Sequence, residues 1–106
     1  MLNPAQTGEW EEITNTITWN TSYIETALTD MKLYKNNYGM LKAQGGFRLK
    51  TAINSEVTIA TLGDTTLQQV IPVYKNNALI SAIIAGGTFL VIPYNSSTAP
   101  IGYYSV

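Results

Sequence analysis

The side chains able to do chemistry are few. Seven carboxylates (Glu9, Glu11, Glu12, Glu25, Asp30, Glu56 and Asp64) and six cations stand in 106 residues, with no histidine and no cysteine. Without those two residue types the chain lacks the usual triad base, a thiol nucleophile, thiolate metal sites and disulfides. A glycosidase needs two acids on one cleft. Asp30 and Asp64 are the pair the sequence leaves open, and solvated turn positions account for both. Gly45-Gly46 and Gly86-Gly87 are not phosphate loops, because neither lies between a strand and a helix followed by Lys-Ser or Lys-Thr. No acidic run has calcium-loop spacing. The expectation is a non-enzyme with no catalytic residues, no metal and no cofactor.

Neutral polar groups take the place of charge. Charged residues make up 12% of the chain, against ~25% in an average soluble domain. The net charge of −1 gives no footprint for nucleic acid or an anionic membrane. There are 14 Thr, 9 Asn, 6 Ser and 4 Gln, with seven Tyr and two Trp. Aromatic rings with amide and hydroxyl rims suit a neutral polar ligand such as a sugar. The candidate ligand-binding residues are the turn positions Asn36, Asn37, Tyr38, Asn76, Asn77, Tyr94 and Asn95. Each also has a local explanation, asparagine in turn geometry and tyrosine at a core edge. Trp10 and Trp19 read as packing anchors. Lys35, Lys75 and Arg48 are the cations available to an anionic polymer's phosphate.

The elements that position these residues read as strands. Thr, Ile and Val number 30, and β-branched side chains suit a pleated surface. Ile24 to Lys35 has weak helical spacing, but it is short and holds Thr26, Thr29 and Asp30. Strands are expected at 16–19, 31–35, 38–44, 47–53, 56–62, 69–74, 78–85, 88–94 and 101–106. The turns between them carry Asn36-Asn37, Gly45-Gly46, Asn54-Ser55, Asn76-Asn77 and Gly86-Gly87. Phe47, Leu49, Thr51 and Ile53 alternate with Arg48 and Lys50. Val57 and Ile59 point inward, against Glu56 and Thr58. About eight short strands at this spacing predict an all-β antiparallel sandwich or small barrel. Residues 1–15 read as an N-terminal arm or linker remnant, and residues 16–106 as the domain. Tyr34-Lys35-Asn36-Asn37 recurs as Tyr74-Lys75-Asn76-Asn77, which two hairpins with the same turn chemistry explain.

Charge stops at Lys75: residues 76–106 contain no charged side chain. The apolar stretch 78–92 is interrupted by Gly86-Gly87 and so does not make the ~20-residue span of a membrane helix. It reads as a hairpin with both faces apolar. One small sandwich has one core, so the second face needs a cover. A neighbouring copy of the protein fits that need, with the chain's own arm as the other possibility. The expected interface residues are Ile80, Ile84, Leu90 and Ile92.

The order of these pieces resembles the C-terminal head domain of receptor-binding proteins at the tail tip or baseplate of phages that infect Gram-positive bacteria. The matching pieces are Trp10 or Trp19, Tyr34-Lys35 with Gly39, the alternating strand Phe47–Ile53, Ala60-Thr61-Leu62, and the apolar pair around Gly86-Gly87. They cover about residues 10–106. After Ala-Thr-Leu such domains often carry a Pro and a glycine-aromatic-Arg-Pro run, where this chain has Gly63-Asp64-Thr65. The resemblance implies a homotrimeric head on the virion. It would adsorb to host cell-wall polysaccharide or teichoic acid and contact other tail or baseplate proteins, without nucleic acid or membrane insertion. It also implies that Met1 starts a fragment of a longer chain. The alternative is a structural baseplate or fibre protein that makes only protein–protein contacts.

Overall fold

The structure, a computed structural model, describes residues 9–75, 80–94 and 97–106. The chain is all-β. Its ten described strands are β1 (Glu11–Glu12), β2 (Thr18–Trp19), β3 (Lys32–Lys35), β4 (Leu41–Gln44), β5 (Gly46–Leu49), β6 (Val57–Thr61), β7 (Gln68–Val70), β8 (Ile80–Ala85), β9 (Thr88–Pro93) and β10 (Gly102–Ser105). All pairings are antiparallel, in sheets ordered β1-β3-β4, β10-β5 and β2-β6-β9-β8-β7.

The β5–β10 pair packs on the inner face of the five-stranded sheet through Phe47 and Phe89, and the β1-β3-β4 sheet is tied to it where the Gln69 side chain bonds the Leu41 backbone. β4 runs into β5 through Gly45, whose φ of 77° is a left-handed value that L side chains rarely adopt. A Cβ there would also sit 2.6 Å from the Asp30 carbonyl oxygen. One strand thus bends to serve two sheets. Across the core, Phe47 of β5 stacks on Tyr104 of β10 with ring centroids 5.3 Å apart. Phe47 meets Phe89 of β9 edge-on at 5.9 Å. Trp19 closes the cluster, 6.3 Å from Phe47 and 6.4 Å from Phe89. Such ring pairs contribute ~0.5–1.5 kcal/mol each beyond the area they bury. Ile24, Leu33, Leu49, Ile53, Ile59, Ile84 and Val91 complete the sealed core.

The expected strands are present with other bounds: most end earlier, β5 and β7 begin one residue sooner, and residues 78 and 79 of the expected 78–85 strand lie outside the described residues. The helical spacing after Ile24 yields one 3-10 turn, Thr26–Leu28. The arm expected over residues 1–15 is part of the fold from Glu11 onward. Glu11 and Glu12 pair with Lys35 and Tyr34, and Ile13 is buried and donates its N–H to the Leu33 carbonyl. Alternation missed this strand because β1 is a two-residue edge with both side chains in water. Lys42 Nζ sits 4.9 Å from the Trp10 ring and 5.0 Å from the Tyr34 ring, which fastens the same segment. Among the described residues no helix is long and apolar enough to cross a membrane.

Candidate ligand-binding faces

Both candidate acids are tied into local structure. Asp30 Oδ1 accepts hydrogen bonds from the Tyr103 hydroxyl and from the Gly46 N–H. The Tyr103 bond, aided by the Gly46 N–H, holds the Asp30 carboxyl below its ordinary range and raises the Tyr103 phenol. Asp64 accepts from the hydroxyl and N–H of Thr66 and pairs with Lys35 at 3.4 Å. Those Thr66 bonds lower its pKa, with a smaller contribution from Lys35. A carboxyl held ionised in this way is a poor proton donor near neutral pH. Tyr104 lies on the inner side of β10, where burial pushes its phenol up to about 12. Its hydroxyl donates to the Pro100 carbonyl at 2.6 Å.

The turn residues separate into different roles. Asn36 is buried, and its Oδ1 accepts from the N–H groups of Tyr38 and Met40 at 3.0 and 3.1 Å. It is a scaffold of the β3–β4 loop, so its ligand role is corrected. Asn37 and Tyr38 are exposed on that loop, and Tyr94 is exposed at the end of β9. Asn76, Asn77 and Asn95 lie outside the described residues.

The register assembles two outward faces. On the five-stranded sheet, the pairs Thr18–Thr61, Thr61–Thr88, Thr58–Leu90, Ser81–Ile92, Ile83–Leu90 and Val70–Ile83 run across the outside. None of its five strands contains a charged residue. The β2–β6 end of this face is threonine, and across β9, β8 and β7 the aliphatic Leu90, Ile92, Ile83 and Val70 stand among the neutral polar Thr88, Ser81 and Gln68. On the opposite side of the core, Tyr103 pairs with Arg48, and Tyr74 bridges to Ser105 two residues along. Tyr74 is 65% and Tyr103 37% exposed. Arg48 makes no ion pair with the described residues. Tyr74, Tyr103 and Arg48 thus share one ridge of rings and a guanidinium. Gly46 makes room for it, since a Cβ there would lie 2.8 Å from the Tyr103 ring.

The expected interface set does not share one face. Ile84 is 0% exposed, deep in the chain's own core, and Ile80 packs against that core. Leu90 and Ile92 are half-buried on the outside. The pairing of Ala85 with Thr88 places Ile84 beside Phe89 and Ile83 beside Leu90. Ile80 and Ile84 therefore leave the candidate interface, and Ile83 and Val70 join Leu90 and Ile92.

Two further features escaped alternation. Tyr74 and Tyr103 come together only through long-range pairing. At β6 the register slips between Thr58 and Ala60, so Ile59 and Ala60 are both buried. The run Thr-Ile-Ala-Thr, two apolar residues between two polar ones, is the signal that could have revealed this bulge. Comparison with protein-family models, curated proteins and solved structures finds no match to this chain.

Proposed function

We infer that the chain is a non-enzymatic attachment head, carried at the tail tip or baseplate of a virion as a homotrimer. Its ligand is a host cell-wall saccharide or teichoic acid. The observation that carries this reading is the separation of chemistries on the two sheets. A face built from strands without charge can enter a permanent contact with no ionic desolvation cost. Each apolar Å2 it buries contributes ~25 cal/mol. Val70, Ile83, Leu90 and Ile92 are the residues of that contact. The opposite ridge offers tyrosine rings to the C–H faces of a sugar and the Arg48 guanidinium to a phosphate. A repeating polymer met by three copies gains by effective concentration what each contact lacks in strength.

The test has two arms. Light scattering on the eluting protein is expected to give three times the chain mass, and a monomer would overturn the assembled head. Incubation with Gram-positive cell walls is expected to retain the protein, and removal of the wall glycopolymers to release it. An assembled protein retained by no wall supports instead a structural baseplate or fibre component. Release of soluble saccharide from the walls would overturn the non-enzymatic assignment.

A further inference from the structure

The bulge in β6 leaves a cleft that the ridge does not use. It has a volume of about 250 Å3 and is lined by Thr18, Trp19, Asn20, Thr58, Ala60 and Thr61. Its origin is local. With Ile59 and Ala60 both turned into the core, nothing projects outward between Thr58 and Thr61. Asn20 fixes the wall, since its Nδ2 donates to the Thr58 carbonyl at 3.0 Å and its N–H to the Ile59 carbonyl at 2.8 Å.

The polar groups around this cleft are unspent. Thr14, Thr16, Thr29, Thr51, Thr66 and Thr88 all use their hydroxyls in hydrogen bonds. The hydroxyls of Thr18, Thr58 and Thr61 and the indole N–H of Trp19 have no partner among the described residues. No unpartnered side-chain nitrogen or oxygen among the described residues is sealed from solvent. The exposed lining of the cleft is thus mostly apolar, with these threonine hydroxyls as its neutral polar groups, on strands that carry no charge. Its volume falls below the roughly 300–1,000 Å3 of sites for drug-sized ligands.

The geometry points to a binding site for one neutral sugar ring in this cleft, with the Thr18, Thr58 and Thr61 hydroxyls as its polar contacts and the apolar lining against the ring's C–H face. A phosphate or carboxylate finds no counter-charge there, and a purely apolar guest would leave the hydroxyls unpaired. The site deepens the cell-wall reading, on which it rests for the source of the sugar.

The test is a titration of the assembled, 15N-labelled full chain with glucose, galactose and N-acetylglucosamine. Glucose 6-phosphate is the charged control. The expected result is saturable shifts of the Trp19 indole N–H and the amides of residues 58–61 with at least one neutral sugar. The double variant Thr58→Val/Thr61→Val keeps the β-branched shape and is expected to weaken binding at least tenfold with an otherwise unchanged amide spectrum. Should that pair misfold, Thr18→Val on the exposed edge strand carries the same test, with an expected loss of about threefold. No shift with any neutral sugar up to ~50 mM overturns the site, since one-ring affinities lie near millimolar. So does undiminished affinity in the folded variant, or tenfold tighter binding of glucose 6-phosphate. Wall retention is read separately. A protein that ignores walls yet shows these shifts loses the attachment reading and keeps the cleft. One retained on walls without the shifts keeps the reading and loses the cleft.

Discussion

The outer face of the five-stranded sheet and the outer face of the β5–β10 pair lie on opposite sides of one aromatic cluster, and they differ in kind. The first is threonine at one end and mixed aliphatic and neutral polar at the other, on strands without charge. The second presents two tyrosines and an arginine. Their inner faces are alike, since Phe89 from one and Phe47 and Tyr104 from the other pack together. Core packing therefore does not account for the difference. What a sheet turns inward is set by the need to exclude water, and what it turns outward is open to other demands. The contrast separates a surface suited to permanent burial from one suited to reversible contact.

The largest effect separates inside from outside on one hairpin. Ile84→Lys places an unpaired charge in the sealed core. It is expected to cost more than ~4 kcal/mol, enough to unfold a marginal domain in a urea or thermal melt. Leu90→Lys, six residues on and on the other face, is expected to leave the protomer folded and convert the trimer to monomer by light scattering. If both variants unfold, or both remain assembled, the two sides of the hairpin are not distinct as described.

Next in size is Gly46→Ala. The new Cβ would lie 2.1 Å from the Tyr104 carbonyl oxygen, so β5 and β10 must part. A cost of ~2–3 kcal/mol is expected in a denaturant melt, together with weaker wall retention as the ridge is displaced.

Tyr104 gives a dependence on alkali. Its folded pKa of about 12 stands above the ordinary 10.0. Its contribution is therefore full below pH 10 and lost as pH rises through 12, on the order of 2 kcal/mol. Tyr104→Phe is expected to flatten that alkaline fall while costing about 1 kcal/mol at neutral pH through loss of the bond to Pro100. Paired melts from neutral pH to beyond the folded pKa of about 12 check both. At the acid end Asp30 works in the opposite sense. Its lowered pKa supplies stability above the unfolded value that is lost as pH falls through the folded one.

The smallest effect is Tyr74→Ala. The side chain is 65% exposed, so stability is expected to move by less than ~0.5 kcal/mol. Wall retention is expected to fall roughly fivefold, the equivalent of about 1 kcal/mol of ring contact. Unchanged retention would remove the ridge from the attachment surface.

Much of the fold was legible in residues, and the misses have identifiable causes. Gly86-Gly87 between two apolar runs announced the β8–β9 hairpin. The same two-residue turn fixes Ala85 opposite Thr88 and hence Ile84 beside Phe89. Ile84 is therefore separable from Leu90 and Ile92 on the sequence. Alternation shows that two faces exist, and only register shows which residues share one. Asn36 was legible as a turn former, and its burial decides against a ligand role. The Tyr74–Tyr103–Arg48 ridge was not legible, because it is made by the long-range pairs Tyr74–Ser105 and Arg48–Tyr103. Glu11–Glu12 failed to read as a strand because nothing in two solvated acids marks pairing.

Trp19 belongs at once to the aromatic cluster and to the wall of the cleft. The other tryptophan, Trp10, is exposed and held over Lys42 on the far segment. The molecule therefore carries two optical reporters with separate addresses. Replacing Trp10 with phenylalanine leaves a single emitter whose colour follows core melting and whose intensity follows occupancy of the cleft. Since a bound guest raises the melting temperature by mass action, one fluorimeter scan with and without sugar reads affinity and stability from the same indole.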